Sequence, residues 1–313
     1  MREFELVIIG AGVAGLTAAT VAGRYGLNLA VVEQLGAGGQ IANAERIENF
    51  PGFPQGIAGH ELGPLLHEQA EAAGAVFVLD EVERLEADGD YRIVQGAGES
   101  LRASAVIISA GSRLRRLPVA GAEKLLGKGV SYCASCDGAF FAGQEVCVVG
   151  GGDSALDEAL ILATHASHVT VLHRSLVAQR ALVDRASACG KIEMIPQAVV
   201  EEILGEDGVS GVRWRDLATG AVQTKAARGV FIYVGLEPNT AFLRDVVALD
   251  AAGHIETDAM MQTSLRGVFA AGDIRKHSVA QLAAAAGDGA TAAVSAFRYL
   301  RSELAKGGQA GDP

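Results

Sequence analysis

Short runs of consecutive apolar residues recur along the first third of the chain, separated by segments with a helical pattern. The runs predict strands at residues 6–9, 29–32, 76–78, 91–94 and 105–108. Helical segments end near residue 24 and span about residues 59–73. Strands without a polar face suit a parallel sheet that is buried on both sides. The alternation of strand and helix therefore predicts an α/β fold.

The same pattern returns in the middle of the chain and again near its end. It predicts strands at residues 145–149, 169–172, 192–195, 212–215 and 229–234, with a helix over residues 156–164. A short strand near residues 267–272 precedes an apolar helical segment at residues 280–297. Because Gly287, Asp288 and Gly289 interrupt that segment, it is not predicted to span a membrane. The last residues, 307–313, are predicted to be a disordered tail.

Length and composition favour two globular domains with tight turns. The chain has 313 residues, more than a typical domain of about 100–200 residues. Half of the residues are hydrophobic, and the 40 glycines exceed the average usage of about 7%. The glycines follow no period, which fits turns that closely approach a ligand.

Charge and cysteine content narrow the classes of partner and compartment. The net charge is −11, from 26 basic and 37 acidic residues, which argues against nucleic acid as a partner. Four cysteines, two of them in a Cys-x-x-Cys spacing, favour a reducing compartment over a disulfide scaffold. Residues 1–5 carry no signal-peptide pattern. We therefore expect a soluble, cytoplasmic protein with no membrane partner.

A Gly-x-Gly-x-x-Gly motif follows the first predicted strand. Gly10, Gly12 and Gly15 permit a tight turn, a close approach of the backbone to a pyrophosphate, and close helix packing. The second strand ends in Glu33, which is 33 − 15 = 18 residues beyond the last glycine. A carboxylate there accepts a hydrogen bond from a ribose 2′-hydroxyl and repels a 2′-phosphate. This loop predicts a site for FAD or NAD rather than NADP.

A second loop of the same kind lies at residues 150–155. It reads Gly-Gly-Gly-Asp-Ser-Ala, and Ala155 occupies the third small position. The following strand ends in His173 and Arg174 instead of an acid, which favours a nucleotide with a 2′-phosphate. The alternative for Arg174 is an exposed residue at a strand end. Two such loops predict two nucleotides, one carried permanently and one exchanged.

The pair Cys133 and Cys136, with Asp137 beside it, lies between the two loops. Cys136 stands 150 − 136 = 14 residues before the second loop. The Cys-x-x-Cys spacing lowers the pKa of one thiol and supports reversible disulfide chemistry. The alternative is half of a zinc site, but Cys147 and Cys189 stand singly without histidines at ligand spacing. Redox chemistry is the favoured interpretation.

These motifs resemble those of the low-molecular-weight thioredoxin reductases, flavoproteins of the pyridine nucleotide-disulfide oxidoreductase class. The resemblance covers about residues 4–303, and its most specific parts are residues 133–138, 39–40, 48–52 and 268–273. It implies two Rossmann-like three-layer domains. An FAD-binding domain would comprise residues 1–112 and 246–313. A nicotinamide domain carrying the dithiol, residues 113–245, would be inserted into it and rotate about hinges near residues 113–117 and 245–249.

The resemblance also implies residue roles. FAD, one per chain, would be held by Gly10, Gly12, Gly15, Glu33, Gly39, Gln40, Asn49, Val82, Gly111, Asp273 and Gln281. NADPH would be held by Gly152, Asp153, Ser154, Ala155, His173, Arg174 and Arg180. Cys136 would meet the flavin, Cys133 would attack the protein substrate, and Asp137 would donate a proton. No metal is implied.

The activity implied is a relay from NADPH through FAD to the disulfide and then to thioredoxin or a thioredoxin-like protein, in a homodimer. Ser175 stands where the family usually has a second arginine, Arg180 is displaced by one place, and Ala280 replaces an arginine. NADH is therefore left open beside NADPH. Alternatives are a ferredoxin-fed reductase, a small-molecule dithiol oxidase that passes electrons to oxygen, and a non-catalytic flavin or nucleotide sensor.

Overall fold

Parallel strands with the predicted apolar sequences form the centres of two sheets in the computed structural model, which describes residues 1–309. By its internal contacts the chain divides into two units. One consists of Met1–Arg113 together with the chain from Glu237 onward, and the other consists of Leu114–Leu236.

The elements follow the chain in three stretches. The first contains β1 (Arg2–Ile9), α1 (Val13–Arg24), β2 (Leu29–Glu33), α2 (Gly59–Ala72), β3 (Val76–Leu79), β4 (Val82–Asp88), β5 (Tyr91–Gly96), β6 (Ser100–Ile108) and β7 (Ser112–Leu114). The second contains β8 (Val130–Ser131), α3 (Ala134–Asp137), β9 (Glu145–Val149), α4 (Asp153–His165), β10 (His168–His173), α5 (Arg180–Ala188), β11 (Ile192–Pro196), β12 (Ala198–Gly205), β13 (Val209–Asp216), β14 (Val222–Ala226) and β15 (Gly229–Ile232). The third contains β16 (Leu236–Pro238), β17 (Val268–Ala270) and α6 (Leu282–Gln309). Single 3-10 turns occur at Gly39–Asn43, Gly138–Phe141, Ala241–Leu243 and Gly272–Ile274.

The first unit is built on a seven-stranded sheet in the order β3-β2-β1-β6-β5-β4, with β17 beside β6. Strands β3, β2, β1, β6 and β17 are parallel, and β4 and β5 add an antiparallel extension. Side chains alternate across β1, so Leu6 and Ile8 pack on the face covered by α1 and α6, while Val7 and Ile9 pack on the opposite face. All four are buried, as the apolar run predicts.

Two element boundaries differ from the sequence prediction. β1 begins at Arg2 rather than at residue 6, because residues 2–4 pair with the start of β6 although their side chains are more exposed. α6 continues through Gly287, Asp288 and Gly289, where the pattern predicted an interruption. The helix also includes residues 307–309, the beginning of the predicted tail. The rest of that predicted tail, residues 310–313, lies outside the described residues.

The second unit is built on a five-stranded parallel sheet in the order β11-β10-β9-β15-β8. α4 and α5 contribute to the core on one face, and the antiparallel sheet β12-β13-β14 contributes to the core on the other. The buried strand β9 contains Cys147, and burial raises the pKa of its thiol to about 12. This cysteine is therefore an inert core residue.

The chain crosses between the units at β7 and at β16, and these two short strands pair with each other. Arg113 and Glu237 form an ion pair there, with 2.6 Å between Nε and Oε1. The first crossing lies at residues 113 and 114, one residue from the predicted domain boundary. The second lies at residues 236 and 237, so the predicted boundary at residue 246 falls 246 − 237 = 9 residues later. None of the helices within residues 1–309 combines the length and apolar character needed to cross a membrane.

Gly289 lets α6 pack against α1, and it generates a testable contrast within one helix. A Cβ at Gly289 would lie 2.1 Å from the carbonyl oxygen of Ala14, whereas a Cβ at Gly287 would meet nothing within 4 Å. We expect Gly289→Ala to lower the free energy of unfolding by about 1–3 kcal/mol through overpacking. Gly287→Ala should raise it by about 0.5–1 kcal/mol because alanine favours helix. Thermal unfolding midpoints that move in the same direction for both variants would contradict this packing.

Candidate functional site

The first glycine loop joins β1 to α1 by direct contact between backbones. A Cβ at Gly15 would lie 1.9 Å from the carbonyl oxygen of Gly10, and Gly10 itself has a φ of 100°. Gly12 is the N-cap of α1, has no side-chain cap, and faces open space where a Cβ would meet nothing within 4 Å. The first-turn N–H groups are thus left for an outside acceptor, which fits a pyrophosphate.

Glu33 lies beside this loop, as the motif predicts. Its Oε2 accepts a hydrogen bond of 2.8 Å from the Ala11 N–H, and its Oε1 accepts one of 3.0 Å from the Leu35 N–H. A carboxylate has about four lone-pair sites, so acceptor capacity remains for a ribose hydroxyl. Val82 begins β4 shortly after Asp80, whose N–H donates to the carbonyl oxygen of Glu33 at 3.0 Å. This hydrogen bond places the residues just before Val82 beside the end of β2 at Glu33.

The predicted flavin residues of the long loop meet residues that are far away in sequence. Gln40 Nε2 donates to the carbonyl oxygen of Ser112 at 2.5 Å and to its Oγ at 3.0 Å. Asn49 Nδ2 donates to Gln281 Oε1 at 3.1 Å, across 232 positions of sequence. Two residues predicted separately for one ligand are thus in direct contact.

Gly39 and Gly111 lie next to these contacts. Gly39 has a left-handed φ of 59°, and a Cβ there would lie 3.3 Å from the Gly12 Cα. Gly111 has a φ of 62°, and its carbonyl oxygen accepts from the Asn239 N–H at 3.0 Å. Both glycines therefore lie in left-handed turns, and Gly39 packs directly against Gly12 of the first glycine loop.

Asp273 lies in a mostly buried 3-10 turn just after β17. The Ser278 hydroxyl donates to its Oδ1 at 2.9 Å. Burial raises the pKa of Asp273 above its ordinary value, and the nearby charge of Asp288 raises it further. A carboxyl with an elevated pKa in a partly buried turn is suited to hydrogen bonding with the hydroxyls of a bound ligand.

Sequence reasoning missed the ion pair that supports this turn. Arg275 donates to Asp288 through Nε at 2.5 Å and through Nη2 at 2.9 Å, and the Gly272 N–H donates to Asp288 Oδ2 at 3.2 Å. Asp288 is 9% exposed and Arg275 is 18% exposed. Asp288 stands between two glycines within an apolar helical segment. This pattern could have indicated a buried ion pair, because a buried charge needs a partner.

The second glycine loop lies beside a cavity of about 270 Å³ within the second unit. Gly152 is the uncapped N-cap of α4 and faces open space, as Gly12 does. Asp153, Ser154 and Ala155 line the cavity. Asp153 also accepts from Gln179, at 2.7 Å from the backbone N–H and at 2.6 Å from Nε2, and so holds the loop that follows β10.

The three predicted phosphate-binding side chains lie in different settings. His173 is buried, its Nδ1 has no hydrogen-bond partner among the described residues, and burial lowers the pKa of its imidazole. Arg174 is exposed at the end of β10. Arg180 donates to Asp184 at 2.7 Å on the exposed side of α5. The unpartnered His173 nitrogen fits a ligand-lined pocket, whereas Arg180 is already paired.

Cys133 and Cys136 form a disulfide, with 5.3 Å between their Cα atoms. Cys136 is exposed and Cys133 is half-buried. The Cys136 N–H donates to Cys133 Sγ at 3.2 Å, which makes Cys133 the side-chain cap of α3. Within residues 1–309 no group of three or more metal-ligating side chains occurs. The disulfide pairs the two sulfurs with each other.

Asp137 is held by a residue that sequence reasoning did not single out. The Ser131 hydroxyl donates to Asp137 Oδ2 at 2.6 Å and accepts from the Cys133 N–H at 3.0 Å. Ser131 lies in β8, the short edge strand, and is buried. One hydroxyl thus links the carboxylate of Asp137 to the backbone of Cys133.

The fold and the two loops are those of a nucleotide-dependent disulfide oxidoreductase, and comparison with known proteins agrees. The family model described as pyridine nucleotide-disulphide oxidoreductase matches residues 4–289, and the chain belongs to this family. A thioredoxin reductase of Bacillus subtilis is 41% identical over 302 residues, covering 96% of this chain and 95% of the relative. The structure of a Lactococcus lactis thioredoxin reductase is 40% identical and superimposes with a TM-score of 0.93, covering 96% of this chain and 99% of that chain.

These findings confirm the predicted family resemblance, the α/β fold of Rossmann-like type and the assignment as an oxidoreductase. A ferredoxin-flavin thioredoxin reductase from Clostridium acetobutylicum is more distant, at 27% identity and a TM-score of 0.54 over 97% of this chain and 99% of that chain. The ferredoxin-fed alternative is therefore less supported.

The buried ion pair near Asp273 can be tested by removing one charge and then both. Asp288→Asn should lower the free energy of unfolding by about 3 kcal/mol, because it leaves the Arg275 guanidinium uncompensated. The double variant with Arg275→Met should recover most of that loss, since an apolar side chain needs no partner. Urea-induced unfolding measures both. A double variant as unstable as Asp288→Asn would contradict this account.

Proposed function

We propose that this protein is a flavin-dependent thioredoxin reductase that uses NADPH. The observation that carries the proposal is the Cys133–Cys136 disulfide, which belongs to the same compact unit as the second glycine loop. In this proposal the first unit is the FAD-binding domain and the second is the nicotinamide domain that carries the dithiol.

FAD is assigned to the first unit, one molecule per chain. The pyrophosphate would lie against the N-terminus of α1 at Gly12, and the ribose would bond to Glu33. Gln40, the Asn49–Gln281 pair and Asp273 would hold the remaining polar groups. Support comes from the open space at Gly12 and from the contact between Asn49 and Gln281. The chemistry that FAD supplies when bound is transfer of an electron pair from NADPH to a disulfide.

NADPH is assigned to the cavity of the second unit. Its pyrophosphate would lie at Gly152, Ser154 and Ala155, and its 2′-phosphate near His173 and Arg174. Arg180 already bonds to Asp184, so Arg174 would carry most of the discrimination against NADH. One charge-assisted contact contributes about 1.5–3 kcal/mol, enough for a clear preference.

The side chains of the second unit can carry out the exchange with a protein disulfide. The Cys133 thiolate attacks one sulfur of the partner, a mixed disulfide forms, and one partner thiolate leaves. Cys136 then attacks Cys133, which restores the intramolecular disulfide and releases the second partner thiolate. Asp137, held by Ser131, would supply a proton to the leaving sulfur. The electron pair thus ends on the partner.

Thioredoxin or a thioredoxin-like protein is the proposed partner, and the cytoplasm is the proposed location. Two lines support this: the thioredoxin reductases that the chain resembles and the absence of a membrane-spanning helix within residues 1–309. A homodimer is proposed from the family resemblance alone.

Replacing either redox sulfur tests the proposed relay. Cys133→Ser and Cys136→Ser should each reduce the turnover of thioredoxin about a thousandfold or more, because neither variant can complete the exchange. Bleaching of the flavin absorbance by NADPH under anaerobic conditions should persist in both. Cys189→Ser, a half-buried free cysteine, is the matched control and should keep full turnover. Unchanged thioredoxin turnover in either redox variant would overturn the proposal.

Nucleotide preference can be assigned to one of two arginines. Arg174→Ala should raise the KM for NADPH by about 10- to 100-fold, the equivalent of one lost charge-assisted contact, and leave the KM for NADH unchanged. Arg180→Ala should change neither value more than about twofold, because its guanidinium is exposed and already paired. Steady-state kinetics with both nucleotides decide between the two arginines. A larger rise in the KM for NADPH in Arg180→Ala than in Arg174→Ala would reject the assignment to Arg174.

A further inference from the structure

The four-residue helix α3 carries Cys136, and its first N–H group donates to a carboxyl and a phenol from distant parts of the second unit. The Ala134 N–H donates to Glu158 Oε2 at 2.8 Å and to the Tyr233 hydroxyl at 3.1 Å. Ala134 and Tyr233 are 1% and 6% exposed. Glu158 lies on α4, and Tyr233 follows β15. Neither has a part in the proposed exchange chemistry.

Glu158 is the common acceptor of this cluster. It accepts from the Tyr233 hydroxyl and from the backbone N–H of Ser135, in addition to Ala134. Both N–H groups at the start of α3 are therefore directed at one carboxyl. The next N–H, that of Cys136, donates to Cys133 Sγ at 3.2 Å. The start of the helix is thus shared between the Glu158 carboxylate and the Cys133 sulfur.

The charge state of the cluster follows from its surroundings. Burial raises the pKa of Glu158 and the neighbouring charge of Asp157 adds to this, while its three donors oppose the rise. Burial and the Glu158 charge raise the pKa of Tyr233, and Asp137 adds a smaller effect. Burial thus keeps the Tyr233 phenol protonated, and its hydroxyl joins two backbone N–H groups as donors to the Glu158 carboxyl.

We propose that Glu158, oriented by Tyr233, is a positioning residue that caps the dithiol helix and lowers the fraction of the reduced Cys133 sulfur that is thiolate. The proposal rests on the proposed function, since it takes Cys133 and Cys136 as the redox couple. The physical reason is that the Glu158 carboxylate and a Cys133 thiolate compete for the N–H donors at the start of α3. A carboxylate at the helix start occupies the N–H donors that would otherwise stabilise a thiolate, and it repels a second negative charge.

This arrangement suits a dithiol that reduces another protein. Dithiols whose reduced form is strongly stabilised as a thiolate are oxidants, because they hold their electrons tightly. A carboxylate that destabilises the Cys133 thiolate makes the reduced pair a better donor of its two electrons. Glu158 would thus bias the exchange toward reduction of the partner.

The test measures the titration of Cys133 alone. In FAD-loaded Cys136→Ser protein, alkylation of Cys133 by iodoacetamide is followed against pH by mass spectrometry of its peptide, which separates it from Cys147 and Cys189. Adding Glu158→Gln should lower the midpoint of alkylation by about one pH unit. At any pH below both midpoints, Cys133 should then be about tenfold more populated as thiolate than in the parent protein. Asp157→Asn is the matched control. It removes the same charge one residue earlier on α4. The midpoint should shift by less than about a third of the shift expected for Glu158→Gln.

An unchanged midpoint in Glu158→Gln overturns the proposal, and so does an equal shift in Glu158→Gln and Asp157→Asn, which would point to net charge alone. Glu158→Asp keeps the charge but withdraws it from the helix. If the glutamine variant does not fold, Glu158→Asp takes its place in the test. Its alkylation midpoint should then lie below that of the parent protein by about half the shift expected for Glu158→Gln. No thioredoxin or NADPH enters the measurement. Failure here therefore leaves the proposed reductase activity intact, and loss of that activity would leave this titration unaffected.

Discussion

In each unit the glycine turn that follows a parallel strand packs against a backbone carbonyl with no room for a side chain on the glycine. A Cβ at Gly15 would lie 1.9 Å from the carbonyl oxygen of Gly10, and a Cβ at Gly150 would lie 2.2 Å from that of Tyr233. These approaches bring the uncapped starts of α1 and α4 to the ends of β1 and β9. Backbone donors and helix dipole then face the same open space, and both candidate nucleotide sites depend on this geometry.

The first unit surrounds its glycine loop with polar contacts between segments that are remote in sequence. Gln40 reaches Ser112, and Asn49 reaches Gln281. These contacts require the C-terminal helix α6 and the N-terminal part of the chain to share one core, and Gly289 permits α6 to lie directly on α1. Packing of apolar faces thus decides where the polar groups of the candidate flavin site come together.

The second unit brings the disulfide and the second glycine loop together around a very short helix. Four residues cannot stabilise a helix by themselves, so α3 relies on its surroundings. Ser131 holds the Cys133 backbone and Asp137, while Glu158 and Tyr233 hold the helix start. Tyr233 also packs its carbonyl against the turn at Gly150. One buried residue therefore contacts both the nucleotide loop and the support of the dithiol.

The sequence alone determined the elements that depend on local patterns. Apolar runs predicted the buried strands, the glycine spacing predicted both strand–turn–helix loops, and the Cys-x-x-Cys spacing predicted the disulfide, because each of these needs only neighbouring residues. The continuity of α6 through Gly287 and Gly289 was decided by tertiary packing, since a helix that is buried against another tolerates glycines that local propensity disfavours. The partners of Asp288, the pairing of Arg180 with Asp184 and the capping of α3 by Glu158 also required the folded chain. These contacts join positions whose separation carries no periodic pattern, and only the three-dimensional arrangement of the sheets brings such side chains within hydrogen-bond distance.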